Sequence, residues 1–200
     1  MKRRGVLLVA AVAAFAGCGG PSLLDQVRQL RTFTRCQFRL VSAEGTTLAG
    51  VPIQGKTALR EVGALDAIRL GLALKSGPLP LSFQLNIEAK NPNTETAAMN
   101  RFSWTLFVDG QQLTTGTLEQ RVEIAGGGAV TTFPLTIAVD LRAALPGQTR
   151  DALLNLAFNV AGAGAHPTKL TLHATPTIII AGIPMEFRDA VNVSTEFGGN

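Results

Sequence analysis

Residues 78–124, PLPLSFQLNIEAKNPNTETAAMNRFSWTLFVDGQQLTTGTLEQRVEI, decide the fold predicted for this chain. The stretch opens with a strict alternation of apolar and polar residues, and its apolar positions are Leu81, Phe83, Leu85, Ile87 and Ala89. Because successive side chains of a strand point to opposite faces, this alternation predicts a strand with one buried face and one hydrated face.

Asn91-Pro92-Asn93 is predicted to end that strand. Pro92 cannot donate to a strand ladder and holds Asn91 in an extended conformation, while Asn93 tolerates the geometry of a turn. A second alternating run follows, and its apolar positions are Phe102, Trp104, Leu106 and Val108. Asp109-Gly110 then closes a predicted hairpin, because this pair adopts the positive φ angles of tight two-residue turns.

Further strands are predicted at 36–41, 48–53, 114–124, 131–141 and beyond Lys169. Glu44-Gly45 is the predicted turn between the first two, Gly116 marks a predicted bulge, and Pro134 favours either a sheet edge or a bulge. Many short strands of this kind predict a mainly β fold, an antiparallel sandwich. We expect a single core between its two sheets that contains Phe83, Leu85, Trp104, Leu106, Leu135 and Ile137.

Three segments have helical spacing instead. Residues 22–32 begin with Ser22 as a predicted N-cap and have a predicted packed stripe of Leu23, Leu24, Val27 and Leu30. Residues 64–74 have a predicted packed stripe of Leu65, Ile68 and Leu72, and Gly77-Pro78 follows as a stop signal. Residues 149–160 have a predicted packed stripe of Leu153, Leu154, Ala157 and Phe158. The last two segments are two short helical insertions in the predicted sandwich.

The order of an alternating strand, Asn91-Pro92-Asn93, an aromatic-rich strand, a hairpin and Gly116-Thr117-Leu118 resembles the late embryogenesis abundant type 2 family. Its domain is also called the water-stress and hypersensitive-response domain. The resemblance is clearest over residues 79–141 and extends over about 38–197. It implies an immunoglobulin- or fibronectin III-like sandwich and a folded protein of stress protection. Family members often carry Tyr near the second strand, and this chain has no Tyr, so Trp104 and Phe107 would take that place.

The first 18 residues are typical of a bacterial lipoprotein signal. Lys2, Arg3 and Arg4 precede a short apolar run that is too short to span a bilayer. Residues 15–18, Phe-Ala-Gly-Cys, resemble the lipobox, in which the cysteine is acylated and becomes the new N-terminus. We therefore expect Cys18 to hold the protein at the membrane, since two or three acyl chains anchor stably. An ordinary cleaved signal peptide is the alternative.

These features divide the 200 residues into a signal peptide at 1–17, a lipidated tether with a short helix at 18–35, and a sandwich domain at 36–197. Three of the 18 basic residues lie in the signal, which leaves near balance with the 14 acidic ones. The basic isoelectric point therefore does not indicate nucleic acid as a partner. With Cys18 lipidated, Cys36 is expected to be a small buried apolar residue rather than a reactive thiol.

Residues 50–57, GVPIQGKT, fit the pattern of a phosphate-binding loop, with Lys56 and Thr57 in the positions that contact phosphate and Mg²⁺. That loop requires a buried parallel strand before it and a helix that starts at its Lys-Thr pair. The surrounding residues instead predict antiparallel strands, and residues 135–140 offer only a loosely matching acid. We therefore interpret the match as coincidence and expect no nucleotide.

Other chemistry is sparse in the sequence. His166 and His173 are the two histidines, and neither has carboxylates or cysteines at metal-ligand spacing. His173 alternates with Lys169 and Thr171 on a polar strand face, so we expect an exposed side chain. Asp66 and Arg69 lie three residues apart on a predicted helix and are expected to pair. No catalytic residue, metal or cofactor is predicted.

The sequence thus favours a non-enzymatic lipoprotein of the bacterial envelope, at the periplasmic face of the outer membrane, which protects or contacts other proteins or lipids, as in desiccation stress. The alternative is a periplasmic carrier with a pocket for an apolar ligand or lipid. An enzyme built on residues 50–57 is the third hypothesis. The partners expected are the membrane, through the anchor, and protein or lipid clients.

Replacing Cys18 with Ser should abolish lipidation, because the acyl chains attach through the thiol. Cells that express the wild type and are fed a fatty-acid probe should yield a labelled protein, and cells that express Cys18→Ser should not. Cys36→Ser is the control and should leave the label in place. Equal labelling of wild type and Cys18→Ser would contradict the prediction.

Overall fold

The computed structural model describes residues 22–164, 167–180, 183–186 and 191–198, and two residues of interest, Cys18 and His166, lie outside them. The elements in chain order are α1 (Leu23–Thr34), β1 (Gln37–Leu48), β2 (Val51–Pro52), α2 (Ala64–Lys75), β3 (Pro80–Lys90), β4 (Ala97–Met99), β5 (Arg101–Val108), β6 (Gln111–Leu118), β7 (Val122–Ile124), β8 (Val130–Asp140), α3 (Leu141–Ala144), α4 (Arg150–Val160), β9 (Thr168–Ile180), β10 (Ile183–Glu186) and β11 (Val191–Phe197). A 3₁₀ turn at Leu59–Glu61 lies between β2 and α2.

The first sheet has the order β2-β1-β3-β8, and all of its strand pairs are antiparallel. Its central strand is β3, and the predicted alternation is confirmed, since all five apolar positions from Leu81 to Ala89 are buried. β8 pairs with β3 over its whole length, from Lys90 opposite Val130 to Pro80 opposite Asp140. Pro134 lies on this edge strand, as its missing N–H predicts.

The second sheet has the order β10-β9-β5-β6, with β11 also paired to β9. The Asp109-Gly110 turn is confirmed, because both residues have positive φ, 47° and 81°, and Val108 lies opposite Gln111. Phe102 of this sheet meets Phe133 of the first sheet edge-on, with ring centroids 6.2 Å apart. The apolar sides of the two sheets thus form one core, and it contains all six of the predicted residues: Phe83, Leu85, Trp104, Leu106, Leu135 and Ile137.

Two glycines have roles that differ from the predictions. Glu44-Gly45 is not a turn: β1 continues to Leu48, and Gly45, with φ at 62°, lies in a bulge between Glu44 and Thr47. Gly116 is not a bulge either, because it lies directly opposite Trp104 within the β5–β6 ladder. A Cβ at Gly116 would collide with the indole ring. Both glycines are required, one for a left-handed backbone and one for a close approach.

The helices form where they are predicted, and the packing of two of them differs. Ser22 caps α1 by accepting from the Asp25 N–H at 3.2 Å. Leu30 of the predicted stripe is buried, as expected, and Phe33 is buried beside it, but Leu24 is exposed. On α2 the predicted stripe is wrong: Leu65, Ile68 and Leu72 are exposed, and the opposite side, with Leu70 and Leu74, packs inward. α2 carries leucines on both sides, so periodicity alone could not choose between them. On α4 the predicted side is confirmed, with Leu153, Ala157 and Phe158 buried.

Asn91 ends β3 and holds the surrounding loops together. Its side chain is fully buried, and its Nδ2 donates to the carbonyl oxygens of Glu95 and Ile124 at 2.9 and 3.0 Å. Its Oδ1 accepts from the backbone N–H and the Nδ2 of Asn93 at 3.0 and 2.9 Å. One amide therefore satisfies four groups, and it joins the 91–96 loop to the end of β7.

The same loop also contacts the 126–129 turn and α1. The Asn91 N–H donates to Ala129 O at 2.9 Å, and the Gly127 N–H donates to Asn93 O at 2.7 Å. Gly126 packs so tightly on this loop that a Cβ there would collide with the Thr94 carbonyl. β4 and β7 pair beside this loop, and α1 packs against β4. The end of β3, the two short strands and α1 are thus one connected unit.

Replacing Asn91 with Asp should destabilise the fold strongly. A carboxylate cannot donate to the Glu95 and Ile124 carbonyls, and it would place a buried negative charge beside both oxygens. We expect a loss of about 3 kcal/mol or more in the free energy of unfolding at neutral pH, as measured by denaturant titration. Lowering the pH should restore part of the loss, since the protonated acid is neutral and can donate once.

The matched control is Asn192→Asp, the same change at an exposed position of β11. It should cost less than about 0.5 kcal/mol, as is usual for surface substitutions. Equal unfolding midpoints for the two variants would contradict the role assigned to Asn91.

Candidate functional site

Residues 50–57 form a turn, a short strand and a loop rather than a phosphate-binding loop. Ala49 and Gly50, with φ of 50° and 76°, make the tight turn between β1 and β2, so Gly50 serves a hairpin. Val51 pairs antiparallel with Leu48, and the next α-helix, α2, begins only at Ala64. The strand–loop–helix geometry that cradles a phosphate therefore does not form at Lys56.

Lys56 and Thr57 both contact Glu61 of the 3₁₀ turn. The Lys56 Nζ donates to the Glu61 backbone carbonyl at 3.1 Å, and the Thr57 N–H donates to the Glu61 carboxylate at 2.8 Å. The Thr57 hydroxyl donates to the other carboxylate oxygen. The hydrogen bonds from Thr57 lower the pKa of Glu61, with the nearby charges of Arg60 and Lys56 adding to the effect. The Glu61 carboxylate thus accepts from the N–H and the hydroxyl of Thr57, the groups that would contact a phosphate and Mg²⁺ in a phosphate-binding loop.

Asp140, the loosely matching acid at the end of residues 135–140, also has a structural role. Its Oδ1 accepts from the Leu79 N–H at 2.9 Å and from the Arg142 N–H at 3.0 Å. The carboxylate thus caps α3 and joins the ends of β3 and β8.

The titratable side chains that the sequence singles out are dispersed. His173 is exposed, as predicted, and packs its ring against Phe107 with centroids 4.7 Å apart. Cys36 is buried immediately before β1, and burial raises the pKa of its thiol to about 11, so it is an apolar core residue. Asp66 and Arg69 pair at 3.2 Å on α2, as predicted. Within the described residues no group of three or more His, Cys, Asp and Glu side chains could hold a metal ion.

Two cavities bear on the carrier hypothesis. A pocket between the two sheets, lined by Phe38, Ile87, Phe102 and other apolar side chains, has a volume of about 20 Å³. That is room for about one water molecule, far below the 300 Å³ or more of typical ligand pockets. A more open cleft of about 260 Å³ lies between α4 and the β5–β6 hairpin, and its lining mixes leucines with Asp109, Asn155 and Asn159. Neither cavity is an apolar pocket of the size that a lipid needs.

The outer face of the first sheet is polar, and many of its side chains bind one another. Asn86 donates to Ser42 at 2.9 Å, and Ser42 donates to Glu44 at 2.7 Å. Arg39 forms two hydrogen bonds with Glu88, at 2.6 and 2.7 Å, and these bonds lower the pKa of Glu88. The predicted hydrated side of β3 is therefore confirmed as a network that is largely satisfied by itself.

The outer face of the second sheet carries hydroxyl groups in register across three strands. Ser103 of β5 lies opposite both Thr117 and Thr175, and Thr105 lies opposite Thr115. We call this surface the hydroxyl face; its members are Ser103, Thr105, Thr115, Thr117, Thr171 and Thr175. All but Thr171 line a shallow groove of about 540 Å³.

The hydroxyl face differs from the first sheet in what its side chains bind. Thr171 shares a hydrogen bond with Ser194 at 2.9 Å. Within the described residues the other five hydroxyls have no side-chain hydrogen-bond partner; Thr115 and Thr117 are exposed, and Ser103, Thr105 and Thr175 are half-buried. Of this face, the sequence places only Thr171 on a polar strand face, since the rows form between strands that lie far apart in the chain. The recurrence of Ser or Thr at alternate positions of β5, β6 and β9 is the signal that could have indicated the rest.

The chain resembles solved structures more than known sequences. No protein-family model and no curated protein matches it. Similar structures include an Archaeoglobus fulgidus protein, at 13% identity and a TM-score of 0.35, which covers 80% of this chain and 96% of that one. A second similar structure, determined in solution, is a candidate late embryogenesis abundant protein. The match spans 80% of this chain and 68% of that protein, at 12% identity and a TM-score of 0.39.

A third similar structure is a protein from Arabidopsis thaliana. The match spans 59% of this chain and 70% of that protein, at 13% identity and a TM-score of 0.39. Structural neighbours of this chain thus include a late embryogenesis abundant candidate. At such low identities and TM-scores, these similarities neither assign the chain to a family nor transfer a function to it.

The protein should show no Mg²⁺-dependent nucleotide binding at residues 50–57, because no helix begins at Lys56 and the Glu61 carboxylate accepts from both donors of Thr57. Titration with a fluorescent ATP analogue and Mg²⁺ should give the same flat response for the wild type and for Lys56→Ala. Lys75→Ala is the control for loss of a surface charge. Saturable binding that Lys56→Ala removes and Lys75→Ala retains would show the prediction to be wrong.

Proposed function

We propose that this protein is a non-enzymatic lipoprotein of the bacterial envelope whose folded domain protects neighbouring macromolecules against water stress. The sequence resemblance to the water-stress domain and the lipobox-like Cys18 support the class and the location. The observation that carries the role is the hydroxyl face, a broad hydrated surface on a sheet whose other side is a dry core. We also infer that the two sheets form an immunoglobulin- or fibronectin III-like sandwich.

A surface of this kind suits protection for a physical reason. During drying, partly unfolded proteins adhere through apolar patches and unpaired strand edges. Hydroxyl groups that are not engaged with one another can donate to and accept from both water and a client's polar groups. The hydroxyl face therefore offers hydrogen bonds as water is removed, whereas many side chains of the first sheet's outer face are already paired with one another.

The proposed lipid anchor at Cys18 would confine the protein to the membrane surface. Arg28 and Arg31 of α1, and Arg35 at its C-terminal end, are exposed and follow the segment that contains Cys18. Basic side chains near an acylated terminus strengthen attachment to anionic lipid. Protection would then act on proteins and lipids at the membrane rather than in bulk solution.

A chain from Ser22 onward should protect a fragile enzyme through drying and rehydration better than an equal mass of an inert globular protein. This shortened chain keeps every described helix and strand. Thr105→Val, Thr115→Val and Thr117→Val together should remove at least about half of the advantage, because valine keeps the shape of threonine and removes its hydroxyl. The measurement is the recovered activity of the test enzyme.

The matched control is Thr47→Val, Thr132→Val and Thr136→Val together, which removes three hydroxyls from the outer face of the first sheet. It should leave most of the protection intact. No advantage of the wild type over the inert protein would count against the proposed function, and equal losses in both variants would remove the special role of the hydroxyl face. A lipid or other apolar molecule that co-purifies with the protein would favour the carrier alternative.

A further inference from the structure

α2 presents an apolar face to solvent. Among the described residues six large apolar side chains are exposed, and three of them are Leu65, Ile68 and Leu72, with 75%, 60% and 64% of their surface accessible. Their spacing of three and four residues places them together on one side of the helix. Half of the large apolar side chains that are exposed among the described residues therefore lie on about two turns of one helix. We call these three side chains the α2 stripe.

The helix is firmly held from its other side. Leu70 and Leu74 are buried in the core, and the Arg142 guanidinium donates to the carbonyl oxygens of Ala73 and Leu74, each at 3.1 Å. These hydrogen bonds satisfy carbonyls that the helix end leaves without an intrahelical partner. The core contacts and the guanidinium thus fix the orientation in which the stripe faces outward.

Basic side chains flank the α2 stripe. On a helical projection, Arg69 lies to one side of Leu65 and Leu72, and Lys75 lies to the other. Both are exposed, and Arg69 also pairs with Asp66. Between residues 56 and 76, four basic residues stand against two acidic ones, and Glu61 is engaged by Thr57. The surroundings of the stripe therefore carry net positive charge.

The size of the stripe decides between two classes of occupant. Three side chains expose only a few hundred Å² of apolar surface, whereas a stable protein–protein interface buries about 800 Å² on each partner. A bilayer surface needs no matching shape, and it binds a helix with apolar residues on one side and Lys or Arg along the flanks. Both the area and the charge favour an anionic lipid surface over a second copy of the chain.

The α2 stripe is far from the segment that leads to Cys18. α1 leads into β1 at the end where Gln37 lies opposite Lys90, while α2 precedes β3 and contacts α3 at the end where Pro80 lies opposite Asp140. The eleven residues of β3 separate these ends by roughly 35 Å. A lipid contact at α2 is therefore independent of a lipid anchor at Cys18.

We propose that α2 is an interfacial membrane-binding helix, which inserts Leu65, Ile68 and Leu72 among the headgroups of an anionic bilayer while Arg69 and Lys75 contact lipid phosphates. This goes beyond the proposed function, because it assigns a second lipid contact that requires no acylation. It makes the domain itself, rather than its tether alone, a membrane ligand.

The test uses the chain from Ser22 onward, so that no acyl anchor is present, and vesicles of phosphatidylcholine with about one third phosphatidylglycerol. The protein should float with these vesicles and bind much more weakly to pure phosphatidylcholine. Leu65→Ser, Ile68→Ser and Leu72→Ser together should weaken binding by more than about tenfold. Arg69→Gln and Lys75→Gln should each weaken it by about fivefold, and added salt should do the same.

The chain offers a matched control in its other three exposed apolar side chains. Leu24→Ser, Val41→Ser and Val130→Ser remove the same number of large apolar groups from other parts of the surface and should leave vesicle binding unchanged. Circular dichroism checks that both triple variants remain folded. In a second measurement, Leu65→Trp places an indole on the stripe, and its emission should shift to shorter wavelength on addition of anionic vesicles.

Three results would overturn the proposal. The first is that the wild-type protein does not float with anionic vesicles. The second is that the control triple variant loses as much vesicle binding as the triple variant of the α2 stripe. The third is a protein that sediments as a dimer and becomes a monomer when the stripe is replaced, which would assign the stripe to a second copy of the chain. Protection in the drying assay does not depend on any of these results.

Discussion

The buried side-chain amide of Asn91 is the interaction on which the arrangement of the fold depends. β3 runs through the middle of the first sheet. Where it ends, the chain crosses towards the second sheet, and its polar backbone groups must not remain buried without hydrogen-bond partners. One amide accomplishes this by accepting twice from Asn93 and donating to the carbonyls of Glu95, in the 91–96 loop, and Ile124, at the end of β7. The position of β4, the course of the 126–129 turn and the seating of α1 all follow from that geometry. A side chain with only donors or only acceptors would leave half of these groups unsatisfied.

The parts of the fold that were predictable from sequence are those in which local chemistry and tertiary environment agree. Alternation located β3 and β5 with their buried faces, Asp109-Gly110 located the hairpin, and Ser22 located the start of α1. The prediction failed where one local signal suits two environments. Gly45 has the positive φ of a turn, yet a bulge needs it equally. α2 has leucines on both sides, and which side meets the core depends on strands that are distant in the chain.

The same limit applied to function. The GKT pattern of residues 50–57 is local and visible, but its meaning depends on whether a helix starts at Lys56, and here a carboxylate from the next turn closes the loop instead. The hydroxyl face is the reverse case: it exists in the structure, but no local motif in the sequence shows it. Each threonine is unremarkable in its own strand, and the surface emerges only when the register places Thr117, Ser103 and Thr175 in one row. The α2 stripe became visible only because its expected core contacts are absent among the described residues.

The pairing of β1 with β3 has a mechanical consequence. A protein held to a membrane by its N-terminus receives any pulling force through α1 and then along the axis of β1. The hydrogen bonds between β1 and β3 run perpendicular to that axis, from Gln37 opposite Lys90 to Leu48 opposite Leu81. Under the anchor proposed at Cys18, a force along β1 would load these hydrogen bonds in shear. The ladder is interrupted between Leu40 and Ser42 and between Glu44 and Thr47, and we expect it to yield first at these irregularities.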